Sequence, residues 1–179
     1  MRNSKTKKMV LNALLIGIGA LLHQLTPALG LPMQPDFALA MLFIVIILND
    51  GDYKTSLVCG IVTGVFTALT TKFPGGQVPN MIDKVITVQV VVFMLYTMRK
   101  IKFLSKIDLF KRKLIEAIVI LSVGTLVSGV VFITSASILV GLPAPFLALF
   151  TTVVLPAVLI NSVAGVFLFK IVEKSLRLA

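Results

Sequence analysis

Arg99 to Lys113 reads RKIKFLSKIDLFKRK, and its seven Lys and Arg residues separate a pair of long apolar tracts. Lys and Arg flanking apolar segments are retained in the cytoplasm, so this stretch fixes which side of a bilayer its neighbours leave from. A spanning helix takes about 20 mostly apolar residues. The tract from Asn80 to Met98 meets that length going back, and the tract from Leu114 to Gly141 meets it going forward. Both cross outward from the basic loop.

Continuing outward gives six spans, at about 9–29, 33–49, 55–71, 80–98, 114–141 and 144–170, in one integral membrane domain covering residues 1–179. The basic residues then alternate. Four lie in the N-terminal tail (Arg2, Lys5, Lys7, Lys8), Lys54 sits in the 49–54 turn, and Lys170, Lys174 and Arg177 close the chain. The 30–36 and 141–145 loops carry none, and the 72–84 segment has only Lys72 and Lys84. This pattern predicts an all-α membrane protein of six helices with both termini in the cytoplasm. The second span is the awkward one. Its apolar run, Phe37 to Asn49, is short, so it must borrow from Leu31 to Pro35, tilt, or thin the bilayer.

Composition agrees and excludes other classes. Of 179 residues, 58% are hydrophobic and 13% charged, with mean hydropathy +1.05, against roughly 25% charged residues in soluble domains. The net charge of +10 therefore belongs to topology and to anionic membrane lipids rather than to nucleic acid. Cys59 is the sole cysteine, so there is no disulfide framework and no paired metal ligand, and the first apolar run is too long for a cleavable signal peptide. The sequence holds no GxxxxGK[ST], HExxH or GxSxG motif and no clustered His, Cys, Asp and Glu set. The expectation is no enzyme, no ATP hydrolysis of its own, no metal and no cofactor. A proton-coupled carrier usually holds a carboxylate deep in the bilayer, and the span centres here are uncharged.

One stretch looks built for a ligand. Thr70 to Lys84 reads TTKFPGGQVPNMIDK, on the outer side by topology. Irregular backbone and charged groups are costly near hydrocarbon unless they line a cavity. Asn80 and Asp83 suit a helix start, as N-cap and first-turn acid. That capping role leaves Lys84 and the preceding FPGGQ unexplained. Gly75 and Gly76 can expose backbone N–H groups toward a carboxylate, although an ordinary turn accounts for them equally well. Elsewhere, Ala13 and Gly17 in the first span and Gly60, Gly64 and Ala68 in the third make small-residue faces suited to close helix approach. His23 has no partner at metal-ligand spacing, Asp36 reads as a membrane boundary, and Asn161 either serves backbone groups freed by Pro156 or faces a cavity. The 99–113 loop admits an amphipathic surface helix as well as a plain basic loop.

These residues carry a resemblance. GIVTG at Gly60 to Gly64, the Thr70 to Lys84 block with its PNMIDK, Ser128 to Phe132, VGLP at Val140 to Pro143, and LPA followed by Asn161 make the chain similar to the substrate-binding S component of an energy-coupling factor (ECF) transporter, most like the tryptophan-specific TrpP type. The resemblance implies an S-component-like six-helix bundle in a bacterial cell membrane, with no ATPase activity of its own. It implies uptake of tryptophan, energised by a separate ECF transmembrane coupling subunit and two ATPase subunits, with docking through small residues of the first helix, here Ala13 and Gly17. Other S-component substrates, such as a vitamin, and a self-sufficient carrier are the alternatives. For L-tryptophan as ligand the expected substrate-binding residues are Phe73, Gly75, Gly76, Gln77, Asn80, Asp83, Lys84 and Asn161. Asp83 is expected at the ammonium, Lys84 and the glycine loop at the carboxylate, Phe73 as a wall, and Gln77 or Asn161 at the indole N–H. The chain itself has no Trp, so any indole signal from it belongs to a ligand.

Overall fold

A computed structural model describes residues 2–27 and 34–178, and among these there are helices and no strands. The helices are α1 (Arg2–Leu25), α2 (Phe37–Leu48), α3 (Tyr53–Thr70), α4 (Gln77–Arg99), a short α5 (Lys102–Ser105), α6 (Leu109–Leu139) and α7 (Phe146–Arg177). Five of them, all but α2 and α5, are long and apolar enough to cross a membrane.

The sixth crossing is α2, and it resolves the problem of the short second span. Gln34 and Pro35 are not helical, so the expected start near residue 33 is wrong; Asp36 caps the helix instead, accepting the Leu39 N–H at 2.8 Å. Residues 28–33 lie outside the described residues of the chain. Every residue from Ala38 to Ile47 is buried, whereas only 28–44% of each long span is. α2 is the axis of the bundle and packs on α1, α3, α4, α6 and α7. A helix wrapped in protein faces little lipid, so its length need not match the hydrocarbon thickness. At its far end Asn49 and Asn12 of α1 exchange amide hydrogen bonds of 2.8 and 3.3 Å. The chain then reverses through Asp50 and Gly51, both at positive φ. Asp52 caps α3, and its hydrogen bonds to Thr55 hold its carboxyl below the usual carboxylate range.

Two more boundaries differ from expectation. α4 begins at Gln77 rather than Asn80, with Gly76 at the N-cap, so Asn80 is inside the helix and its amide donates to the Gly76 carbonyl at 2.8 Å. The 99–113 loop is not one surface helix. After α5, Asp108 caps α6, which starts at Leu109 rather than Leu114. Several of the loop's cations are used internally. Arg99 binds the fully buried Glu116 with two 3.0 Å bonds and reaches Asp50 at 3.0 Å, while Arg112 adds 3.2 Å to Glu116.

The small-residue faces divide. A Cβ on Gly60 would come within 2.5 Å of Val88, and one on Gly64 within 3.2 Å of the Met81 sulfur, so this row packs α3 on α4. Gly17 has nothing within 4 Å of its Cβ position, and Ala13 is exposed. With Met9, Ile16, Val58 and Phe66 they line an open groove between α1 and α3. Both α6 and α7 contain a π-helical turn, at Ile120–Gly124 and Phe150–Val154. The second directly precedes Pro156, whose missing N–H and ring such a turn accommodates.

Candidate functional site

The buried stripe of α4 runs Asn80, Asp83, Lys84, Thr87, Val88, Val91, Leu95. Spacings of three and four keep these residues on one helix face, polar at the outer end and apolar below. The polar end faces the start of α2 and the middle of α6. There Lys84 lies between two carboxylates, its Nζ donating to Asp36 Oδ2 and Asp83 Oδ2, each at 2.6 Å. Asp83 also accepts from Thr87 Oγ1 and from Ser128 Oγ, both at 2.8 Å. Asp83 and Lys84 are each 1% exposed, so neither charge is solvated and the partners must do the work of water. His23, buried at the end of α1, sits 3.8 Å from Asp36 and bonds the Gln34 amide and Thr70 hydroxyl at 2.6 and 3.2 Å. Lys72 donates to the Thr26 carbonyl.

Two carboxylates share the Lys84 ammonium, and Lys72 is a further cation at the cavity mouth. Lys84 has three N–H donors and gives one to each carboxylate, so the third remains.

Beneath this cluster lies a cavity of about 600 Å³ including its mouth. The mouth has His23, Gln34, Asp36, Lys72, Asp83 and Lys84; the walls include Leu39, Phe73, Phe132 and Val154; Thr125 and Asn161 lie deeper. Phe73 and Phe132 meet edge to face, with ring centroids 5.3 Å apart. Gly129 lets α7 approach α6, because a Cβ there would sit 2.5 Å from Val154. Among the described residues no group of three His, Cys, Asp or Glu could hold a metal ion.

The sequence-predicted residues therefore separate. Phe73, Asn80, Asp83, Lys84 and Asn161 line the cavity; Gly75, Gly76 and Gln77 do not. The Gly76 N–H is taken by the Phe73 carbonyl at 2.9 Å, Gly75 at φ 72° turns the chain against Val140, and Gln77 is exposed. Asp83 sits in the second turn of α4, bound to Lys84, and is not a first-turn cap. Asn161 does not serve backbone groups freed by Pro156. It is fully buried, and neither its amide oxygen nor its nitrogen has a partner.

Sequence reasoning took Asp36 for a boundary, weighed His23 only as a metal ligand, used Ser128 to Phe132 only for the resemblance, and did not single out Gln34 or Thr125. For Asp36 a signal was present. Of the seven acidic residues only Asp36 and Asp83 fall on the outer side by topology, and a lysine at membrane depth needs acids near it. Thr125 has no comparable mark.

Residues 5–177 match the family described as tryptophan transporter TrpP. Three similar proteins are each named "Probable tryptophan transport protein". That of Clostridium perfringens (strain 13 / Type A) is 53% identical over 98% of this chain and 96% of its own length. That of Clostridium acetobutylicum is 48% identical over 96% and 94%, and that of Bacillus subtilis (strain 168) 42% over 97% and 94%. No solved structure matches the chain significantly. With its apolar helices and these matches, the chain is a multi-pass bacterial membrane protein of a transporter family rather than an enzyme, and it belongs to the TrpP tryptophan transporter family.

Proposed function

We propose that this chain is the membrane subunit that captures tryptophan from the outer side for uptake, and that a separate ECF coupling subunit with two ATPase subunits supplies the energy. The observation that carries the ligand reading is the pairing of a buried Asp36–Lys84–Asp83 cluster with an apolar cavity below it. A zwitterionic amino acid with a long apolar side chain complements both regions. Its ammonium meets the two carboxylates, and its carboxylate accepts the third Lys84 N–H. Its ring lies against Phe73 and Phe132.

The energy reading has independent support. The sequence has no nucleotide-binding loop, and the groove around Ala13 and Gly17 is open, apolar and unused by internal packing. Such a face suits a helical membrane partner.

Identifying the small molecule retained on purification tests the ligand. Recovery of tryptophan supports the reading, and a vitamin or other compound in its place overturns it. Uptake by cells expressing the chain tests the mechanism. Uptake that needs co-expressed ATPases is expected; uptake that persists without them and follows the proton gradient excludes the ECF arrangement.

A further inference from the structure

Two buried polar side chains inside the cavity have no partner. Asn161 of α7 is 0% exposed and both of its amide atoms are unbonded; Thr125 of α6 is 4% exposed with its hydroxyl unbonded. Both line the same cavity, among Leu39, Gly129, Val153, Val154 and Ala157. They lie close to the midpoints of their helices, and Thr125 is one helical turn inward of Ser128, which bonds Asp83 of the charged cluster. Each such group forfeits hydrogen bonding that water or another polar atom would give it, at about 1–3 kcal/mol apiece. The packing around them was not chosen for apolar filling alone, since Val and Leu would occupy the same volume without that cost.

Each also follows a π-helical turn: Thr125 directly after Ile120–Gly124, and Asn161 a few residues after Phe150–Val154. An extra residue in a turn rotates the side chains beyond it, and such turns concentrate at functional sites. Thr125 and Asn161 thus supply acceptors at the deep end of a cavity that is otherwise apolar below its mouth.

We propose that Thr125 and Asn161 are specificity-determining residues that read a hydrogen-bond donor at the buried tip of the ligand's ring, and so select an indole N–H over a ring without one. This rests on the amino-acid reading of the same cavity. The physical basis is an asymmetry. A purely apolar pocket discriminates weakly between isosteric rings, whereas a pocket with a buried acceptor penalises any ligand that leaves the acceptor unpaired.

The test compares tryptophan with its isostere 3-benzothienylalanine, in which sulfur replaces the ring N–H, and with phenylalanine. Binding is measured on the full chain in detergent by isothermal titration. The wild type is expected to prefer tryptophan to the sulfur analogue by about tenfold or more, one lost hydrogen bond to a buried acceptor. Asn161→Leu is expected to bring that ratio close to one, by weakening tryptophan more than the analogue, and Thr125→Val to reduce it by a smaller factor. Equal affinity of the wild type for the two ligands overturns the proposal without any variant. So does a ratio unchanged in both variants while tryptophan still binds. If the wild type binds neither amino acid, the ligand assignment falls and this inference falls with it.

Discussion

Lys84 is the residue on which the outer site depends, and its burial changes what mutating it measures. From the sequence, Asp83→Asn and Lys84→Ala are expected alike to weaken binding and spare folding. The structure separates them. Lys84→Ala leaves Asp36 and Asp83 facing each other with no cation between, and removing one partner of a buried charge pair costs about 3–5 kcal/mol. Lys84→Ala should therefore lose both ligand binding and thermal stability in detergent. Asp83→Asn keeps an acceptor for Ser128 and Thr87 and leaves Lys84 paired with Asp36, so it should remain folded and lose affinity by about tenfold or more. Unfolding curves and titrations on the two variants decide it; equal stability loss in both would contradict the cluster. The lysine and its adjacent acid were legible in the sequence because charge in an apolar tract is conspicuous. Asp36 was less so, since a charge at the end of an apolar run has an ordinary explanation as a boundary. Thr125 and Asn161 illustrate the remaining difficulty, because whether a polar side chain has a partner is a property of packing that no spacing reveals.

At the scale of helices, glycine positions report which faces are occupied. Gly60→Val should drive α3 from α4, since its Cβ alone would meet Val88 at 2.5 Å, and overpacking of this kind costs about 1–3 kcal/mol. The Cβ of Gly17→Val meets nothing within 4 Å, and the variant should leave the isolated chain's stability unchanged while lowering its co-purification with a coupling subunit. A fall in stability for Gly17→Val, or unimpaired partner recovery, would remove the α1 groove as a docking face. The sequence showed both small-residue rows and could not tell them apart, because small residues permit close approach whoever the neighbour is. Helix ends were less legible than helices. α4 starts three residues early because Pro79, which has no N–H to offer, is tolerated in a first turn. α6 starts five residues early because Asp108 accepts backbone N–H groups of Phe110 and Lys111.

Across the whole molecule, charge is sorted by depth. The outer cluster of Asp36, Asp83 and Lys84 and the inner cluster of Asp50, Arg99, Arg112 and Glu116 lie at opposite ends of the bundle, with an apolar core between. This sorting makes the all-α membrane class and the order of crossings readable from the amino-acid sequence alone. A spectroscopic prediction follows from composition at this scale. With no Trp and only two Tyr, the purified chain should show indole emission only when loaded with ligand, and exhaustive dialysis against ligand-free detergent should abolish it. Emission that survives complete ligand removal, confirmed by mass spectrometry, would contradict that assignment.

The enclosure of α2 also bears on how the chain enters the membrane during synthesis. Twelve residues rise about 18 Å as a helix, well short of a hydrocarbon core of about 30 Å. Emerging from a ribosome alone, such a segment has too little apolar length to settle across a bilayer. In the folded chain the Asn12–Asn49 amide pair holds its inner end to α1, and Asp36–Lys84 holds its outer end to α4. Stable crossing by α2 is therefore expected to depend on its neighbouring helices. The candidate site, whose outer anchor is the cap of this same helix, is complete only once α4 supplies the lysine.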